Sequence, residues 1–222
     1  MAEPTPQNWT RVDEYLTRTL IPEDAALEAA LAAQRAAGMP EIQVSPLGGK
    51  LLNLLVRMSG ARRVLEIGTL GGYSTIWMAR GLPEGGLVVT IEAEPAHAAV
   101  ARRSIDAAGL GERVEIRIGR GERVLPELAG GEPFDLVFVD ADKESNALYL
   151  DWAARLGHPG TVVVVDNIGR GGDVADPGSH AHGVQGTRAG LAVLGGDPRF
   201  DATALQTVGV KDWDGVAIAL VT

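Results

Sequence analysis

"RVLEIGTLGGYSTIWMARGLPEGGLVVTIE", residues 63–92, decides the fold. "RVLEIG" reads as a buried strand, the glycines after it as a turn, "GYSTIWMARGL" as a helix, and "LVVTIE" as a second apolar strand. Strands this apolar are covered on both faces, and a helix between them makes the pair parallel. The same rhythm extends outward. "PAHAAVARRSIDAAG" (95–109) is a helix with Pro95 at its start and Gly109 at its stop. "RVEIRIG" (113–119), "FDLVFVD" (134–140) and "TVVVVD" (161–166) continue the strands, and "NALYLDWAARL" (146–156) lies as a helix between the last two. The tail differs: "FDATALQTV" (200–208) and "WDGVAIALV" (213–221) are separated only by "GVKD", too few residues for a crossover helix, so an antiparallel hairpin on one edge is expected. Ahead of the sheet, residues 10–38 and "VSPLGGKLLNLLVRMSG" (44–60) read as helices. The expectation is a doubly wound α/β fold in one domain, 1–222, with a helical region at 1–60 and a sheet core at 61–222.

Composition narrows the function. Of 222 residues, 45% are hydrophobic and 22% charged, as in ordinary globular proteins. The formal net charge is −9 and no arginine run exceeds two, which argues against a nucleic-acid partner. There are no cysteines for disulfides or thiolate chemistry. "MAEPTPQNW" lacks a signal pattern and no apolar stretch is long enough to span a membrane, so the expected location is cytoplasmic.

Ligands of open α/β sheets bind at the carboxyl ends of the strands. In "EIGTLGGYS", Gly68, Gly71 and Gly72 allow a tight turn and close approach to a ligand, and the next helix offers unpaired N–H groups. A dinucleotide fingerprint needs glycine at position 70, where Leu70 stands, which weakens a nicotinamide reading. Glu92 ends the second strand, where a carboxylate can accept both ribose hydroxyls. A structural turn with a solvated acid beside it explains the same residues.

"FVDADK" and "VVVDN" each close an apolar strand with acids. Asp140, Asp166 and Asn167 would converge on one crevice from neighbouring strands. Two carboxylates and an amide carbonyl are hard oxygen donors that suit Mg²⁺, Ca²⁺ or Mn²⁺ rather than zinc, and three protein ligands leave positions open. Polar strand ends without a metal explain any one of these acids. A haloacid-dehalogenase-type D-x-D lies near the start of its domain, and a glycosyltransferase D-x-D leaves the glycine turn and Glu92 unexplained.

With these motifs placed, the sequence resembles the cation-dependent class I O-methyltransferases, the caffeoyl-CoA and catechol O-methyltransferase family. The similarity runs from "VSPLGGKLL" to "GVKDWDGVAIALV", and "VLEIGTLGGYSTIWMAR" is typical of bacterial members. The resemblance implies a Rossmann-like seven-stranded sheet, mostly parallel with a reversed last hairpin. It implies S-adenosylmethionine as methyl donor, over Glu66, Gly68 and Thr69, with Ser74 at the helix start, Glu92 on the ribose, Gly121 beside the adenine, Asp142 near the methionine part and Val44 closing over it. Asp140, Asp166 and Asn167 match the family's metal ligands, and Lys143 its general base. The family is usually dimeric, so a homodimer is expected. Three places depart from the pattern: Arg120 replaces an acid, Asn146 replaces a tyrosine, and the loop "IGRGGDVADPGSHAHGVQG" (168–186) is the least family-like stretch.

The chemistry suits these residues. A phenol with pKa near ~10 is a poor nucleophile at neutral pH, and a divalent cation on two adjacent hydroxyls lowers that pKa and aims one oxygen at the methyl group. Lys143 then takes the proton, or serves as a charge balancing Asp140 and Asp142. The expected acceptor is a vicinal dihydroxy aromatic, a small phenolic or catechol-like molecule. Two alternatives remain: a nucleotide-dependent oxidoreductase, opposed by Leu70 and the acid set, and a non-catalytic cofactor-binding protein. The "HAH" at 180–182 reads as a polar loop, His97 and His158 as surface residues, and Trp77, Trp152 and Trp213 as core or interface.

Overall fold

The computed structural model describes residues 5–222. Three helices come first, α1 (Pro6–Leu20), α2 (Ala25–Ala36) and α3 (Pro46–Ser59). Each start is fixed by a side-chain oxygen that accepts from an otherwise unpaired backbone N–H. Thr5 accepts from Asn8, Asp24 from Ala26 and Leu27, and Ser45 from Gly48. The helical region read at 10–38 thus divides in two, because Pro22 cannot continue α1 and Asp24 caps α2.

The sheet follows as β1 (Arg63–Ile67), α4 (Tyr73–Gly81), β2 (Leu87–Glu92), α5 (Pro95–Ala107), β3 (Val114–Ile118), α6 (Gly121–Val124), β4 (Leu136–Val139), α7 (Asn146–Leu156), β5 (Val162–Asp166), α8 (His182–Gly196), β6 (Phe200–Gly209) and β7 (Asp212–Val221). The seven strands are ordered β3-β2-β1-β4-β5-β7-β6. The first five are parallel, whereas β7 runs antiparallel to both β5 and β6. The mostly parallel sheet with a reversed hairpin at one edge is the architecture expected from the strand patterns.

Alternation along the central strands divides the core between two faces. Leu65, Ile67, Val137, Val139, Val163 and Val165 pack with Leu150, Ala153 and Leu156 of α7. Val64, Val88, Leu136 and Phe138 point the other way, against Leu52 and Val56 of α3 and Ile76 and Met78 of α4. Both faces are apolar because both are covered.

One element was not legible. Helix α8 carries five glycines, which weakens any helical pattern. Two of them serve packing: a Cβ on Gly186 would lie 2.1 Å from the Lys143 carbonyl oxygen, and one on Gly190 would lie 2.9 Å from Asn146 Cβ. Helix stability was given up to bring α8 against the segment that carries Lys143.

The chain winds from β1 outward through β2 and β3, then returns to β4 on the other side of β1. The crevice at this reversal is where open α/β sheets bind ligands. Gly68, at φ +101°, stands there so close to the next loop that a Cβ would be 2.4 Å from the Asp140 carbonyl oxygen. Only glycine permits both that conformation and that approach.

Candidate active site

The turn after β1 is built on Glu92. Its Oε2 accepts from the backbone N–H groups of Thr69 at 3.2 Å and Leu70 at 2.8 Å, and its Oε1 accepts from Glu94 N at 3.0 Å. These bonds hold Leu70 at φ +50°, a left-handed conformation uncommon for a side chain of this type. Glu92 therefore shapes the turn and still presents a carboxylate to the crevice.

Glu66 lies beneath. It is fully buried and accepts from Ser74 Oγ at 2.5 Å, Thr75 Oγ1 at 2.5 Å and Thr90 Oγ1 at 2.7 Å. Burial pushes its carboxyl up to about 7, against the lowering effect of the three hydroxyls. The sequence reading put Glu66 directly under the cofactor. It ties β1, β2 and α4 together below the turn and is not among the residues that line the cavity.

The acids gather at the ends of β4 and β5. Asp140 accepts from Lys143 Nζ at 2.8 Å, and the Lys143 side chain is only 11% exposed. Burial raises the Asp140 carboxyl while the Lys143 ammonium pulls it down. Asp166 is pushed up to about 7, first by burial and then by the charge of Asp140. Asn167, at φ +59°, follows directly. Among the described residues no three Asp, Glu, His or Cys side chains form a metal cluster; the set here is two carboxylates with an amide. Three carboxylates, Asp140, Asp166 and Asp214, bear on one another there against the two ammonium groups of Lys143 and Lys211. Hard oxygen donors carrying excess negative charge fit a hard divalent cation.

Asp142 faces the other half of the crevice. Tyr149 donates its hydroxyl to Asp142 Oδ1 at 2.5 Å, and Ser145 Oγ donates to Oδ2. Burial opposes ionisation of Asp142, but those two hydroxyls, a backbone hydrogen bond and the Arg120 charge together hold its carboxyl below the usual range. Burial and the Asp142 charge together raise Tyr149, so its hydroxyl stays protonated and donating. Tyr149 also backs Gly121, where a Cβ would lie 2.6 Å from its ring.

A single cavity of about 1100 Å³ joins these groups. Val44, Gly68, Thr69, Ser74, Glu92, Gly121, Asp140, Asp142, Lys143, Asp166 and Asn167 all line it. The volume suffices for a nucleoside-sized molecule and a small aromatic together.

The family model described as O-methyltransferase matches residues 23–219. The chain belongs to the O-methyltransferase family. A protein named catechol O-methyltransferase from Mycobacterium tuberculosis is 54% identical over 210 residues, 95% of this chain and 94% of that one. Another of that name, from Niastella koreensis, is 50% identical over 217 residues, 97% of this chain and 98% of that one. A solved O-methyltransferase from Bacillus cereus in complex with SAH is 49% identical, with a TM-score of 0.96 over 98% of this chain and 100% of that chain.

Several residues of this O-methyltransferase site escaped the sequence reading. His97, taken for a surface residue, lines the cavity with its Nδ1 3.7 Å from Glu92 Oε1. Asn146, where a tyrosine was expected, is buried against Gly190, and Tyr149 a turn later supplies the hydroxyl. Asp214 on β7 reaches the loop that holds Asn167. Only Tyr149 left a signal, since a tyrosine seven residues, about two helical turns, after Asp142 falls back on the same side. Trp77 is buried against Gly49, as a core reading expects, whereas Trp213 is 42% exposed and donates to Gln206 Oε1.

Proposed function

We propose that this enzyme transfers the methyl group of S-adenosylmethionine to one hydroxyl of a vicinal dihydroxy aromatic, with a divalent cation, Mg²⁺ or a like ion, at Asp140, Asp166 and Asn167. The observation that carries the reading is one cavity holding both halves of that chemistry: a glycine turn organised by Glu92 and a half-buried pair of acids at two neighbouring strand ends. The names of the relatives point to the same acceptor class.

In this reading Glu92 accepts from the ribose hydroxyls while its backbone bonds keep the turn in place. Gly68 and Gly121 leave room for the nucleoside, Thr69, Ser74 and Val44 complete its walls, and Asp142, fixed by Tyr149 and Ser145, accepts from the ammonium of the methionine part. The cation, when bound, lowers the pKa of an adjacent phenolic hydroxyl and fixes its oxygen. Lys143 Nζ, held at the donor set beside Asp140, would accept the phenolic proton in its neutral amine form, after giving up a proton to solvent. The phenolic oxygen then forms its bond to the methyl carbon as the carbon–sulfur bond breaks, leaving a thioether. We also read Val12 and Tyr15 of α1 with Leu205 and Val208 of β6, all exposed, as homodimer surface, which light scattering of the purified protein measures.

Thermal shift with S-adenosylhomocysteine and with NAD, followed by a methyl-transfer panel of catechol, guaiacol and phenol, tests the reading. Stabilisation by S-adenosylhomocysteine and turnover confined to catechol are expected. Stabilisation by NAD alone, or equal turnover of phenol, would contradict it.

A further inference from the structure

We propose that Asp214, outside the donor set, is the positioning residue that aims the Asn167 carbonyl at the cation. This rests on the cation reading above. Asn167 holds φ +59°, which asparagine adopts readily, and Arg170 holds φ +53°, which is uncommon for its type. Asp214 fastens the loop between them. Its Oδ1 accepts from Gly169 N at 2.8 Å and Arg170 N at 3.1 Å, and its Oδ2 accepts from Asn167 Nδ2 at 3.2 Å. Backbone contacts add to the clamp: Ile168 N donates to Gly215 O at 3.1 Å, and a Cβ on Gly169 would lie 2.8 Å from the Asp214 carbonyl oxygen.

The consequence is chemical. An amide can offer a hard cation only its oxygen, because its nitrogen carries donors and no free pair. By binding Nδ2, Asp214 decides which end of Asn167 is turned away and leaves Oδ1 for the donor set. Asp214 is placed to do so by register: Asp166 of β5 pairs with Val216 of β7, so the residue two positions before Val216 falls beside the loop that leaves β5. With three donors on its two oxygens, Asp214 acts through that loop rather than as a ligand. Its charge also bears on Asp140 and Asp166, which favours a cation between them.

The test is Mn²⁺ binding to the purified full chain, read by loss of the free-ion electron paramagnetic resonance signal, for wild type, Asp214→Asn, Asn167→Ala and the double variant. Asp214→Asn is expected to weaken Mn²⁺ binding about tenfold or more, the factor carried by a lost charge-assisted hydrogen bond. S-Adenosylhomocysteine affinity should stay within about twofold, and in the Asn167→Ala background the same substitution should have a much smaller effect. Asp214→Glu, whose carboxylate is displaced by one methylene, carries the same comparison if Asp214→Asn does not fold. Unchanged Mn²⁺ affinity, fully additive effects, or an equal loss of S-adenosylhomocysteine affinity would overturn the proposal. A wild type that binds no Mn²⁺ would instead overturn the cation reading on which it rests.

Discussion

Replacing Gly68 by alanine should damage both halves of the site at once. The added Cβ would sit 2.4 Å from the Asp140 carbonyl oxygen, where an ordinary contact is 3.4 Å or more, so the two loops must part by about 1 Å. The native φ of +101° adds about 1–3 kcal/mol of backbone strain for a residue with a side chain. Opening the reversal point between β1 and β4 moves the glycine turn away from Asp140. A misplacement of about 1 Å typically lowers rate by about 10²-fold. The expected result for Gly68→Ala is therefore a kcat/KM lower by about 10² or more, weaker S-adenosylhomocysteine binding and a lower Tm. Steady-state kinetics, calorimetric titration and thermal unfolding of the same preparation measure all three. A variant with wild-type Tm and kcat/KM within twofold would show that the close approach of the two loops has no role.

Three further substitutions probe separate parts. Lys143→Ala should cut kcat by about 10² or more, as for a lost general base, with Mn²⁺ and S-adenosylhomocysteine binding intact; near wild-type kcat would remove it from proton transfer. Tyr149→Phe leaves Asp142 with Ser145 alone, so KM for the methyl donor should rise about tenfold while kcat is spared, and an unchanged KM would show that Tyr149 does not position Asp142. Glu66→Gln tests the buried acid. Its folded pKa of about 7 lies above the ordinary 4.5, so the stability linked to it is fully present below pH 4.5 and is lost as pH rises through about 7. Urea unfolding between pH 4.5 and 7.5 should show the variant gaining on wild type by up to about 3 kcal/mol as pH rises, and parallel curves would refute the burial argument.

The sheet was legible because its strands are short apolar runs closed by glycine or acid, and the hairpin because "GVKD" is too short for a helix. Helix α8 was not, because the glycines that admit it against Lys143 and Asn146 also erase its helical pattern. The same division runs through the site. That Asp140, Asp166 and Asn167 line one cavity follows from the rule that strand ends converge, and the glycine turn is marked by its composition. Asp214 stands inside "WDGVAIALV" with nothing local to mark it; only the antiparallel register of β5 and β7 brings it to Asn167. Glu66 entered through the family resemblance, and the tie it makes to Ser74, Thr75 and Thr90 below the turn is visible only in the folded chain.

The most direct measurement is transfer of labelled methyl from S-adenosylmethionine to catechol by the purified protein, before and after chelation, and again after Mg²⁺ is restored. The account predicts turnover that is abolished by the chelator, recovered with Mg²⁺ in wild type, and absent throughout in Asp166→Ala. Turnover that persists undiminished in chelator, or in Asp166→Ala, would contradict it.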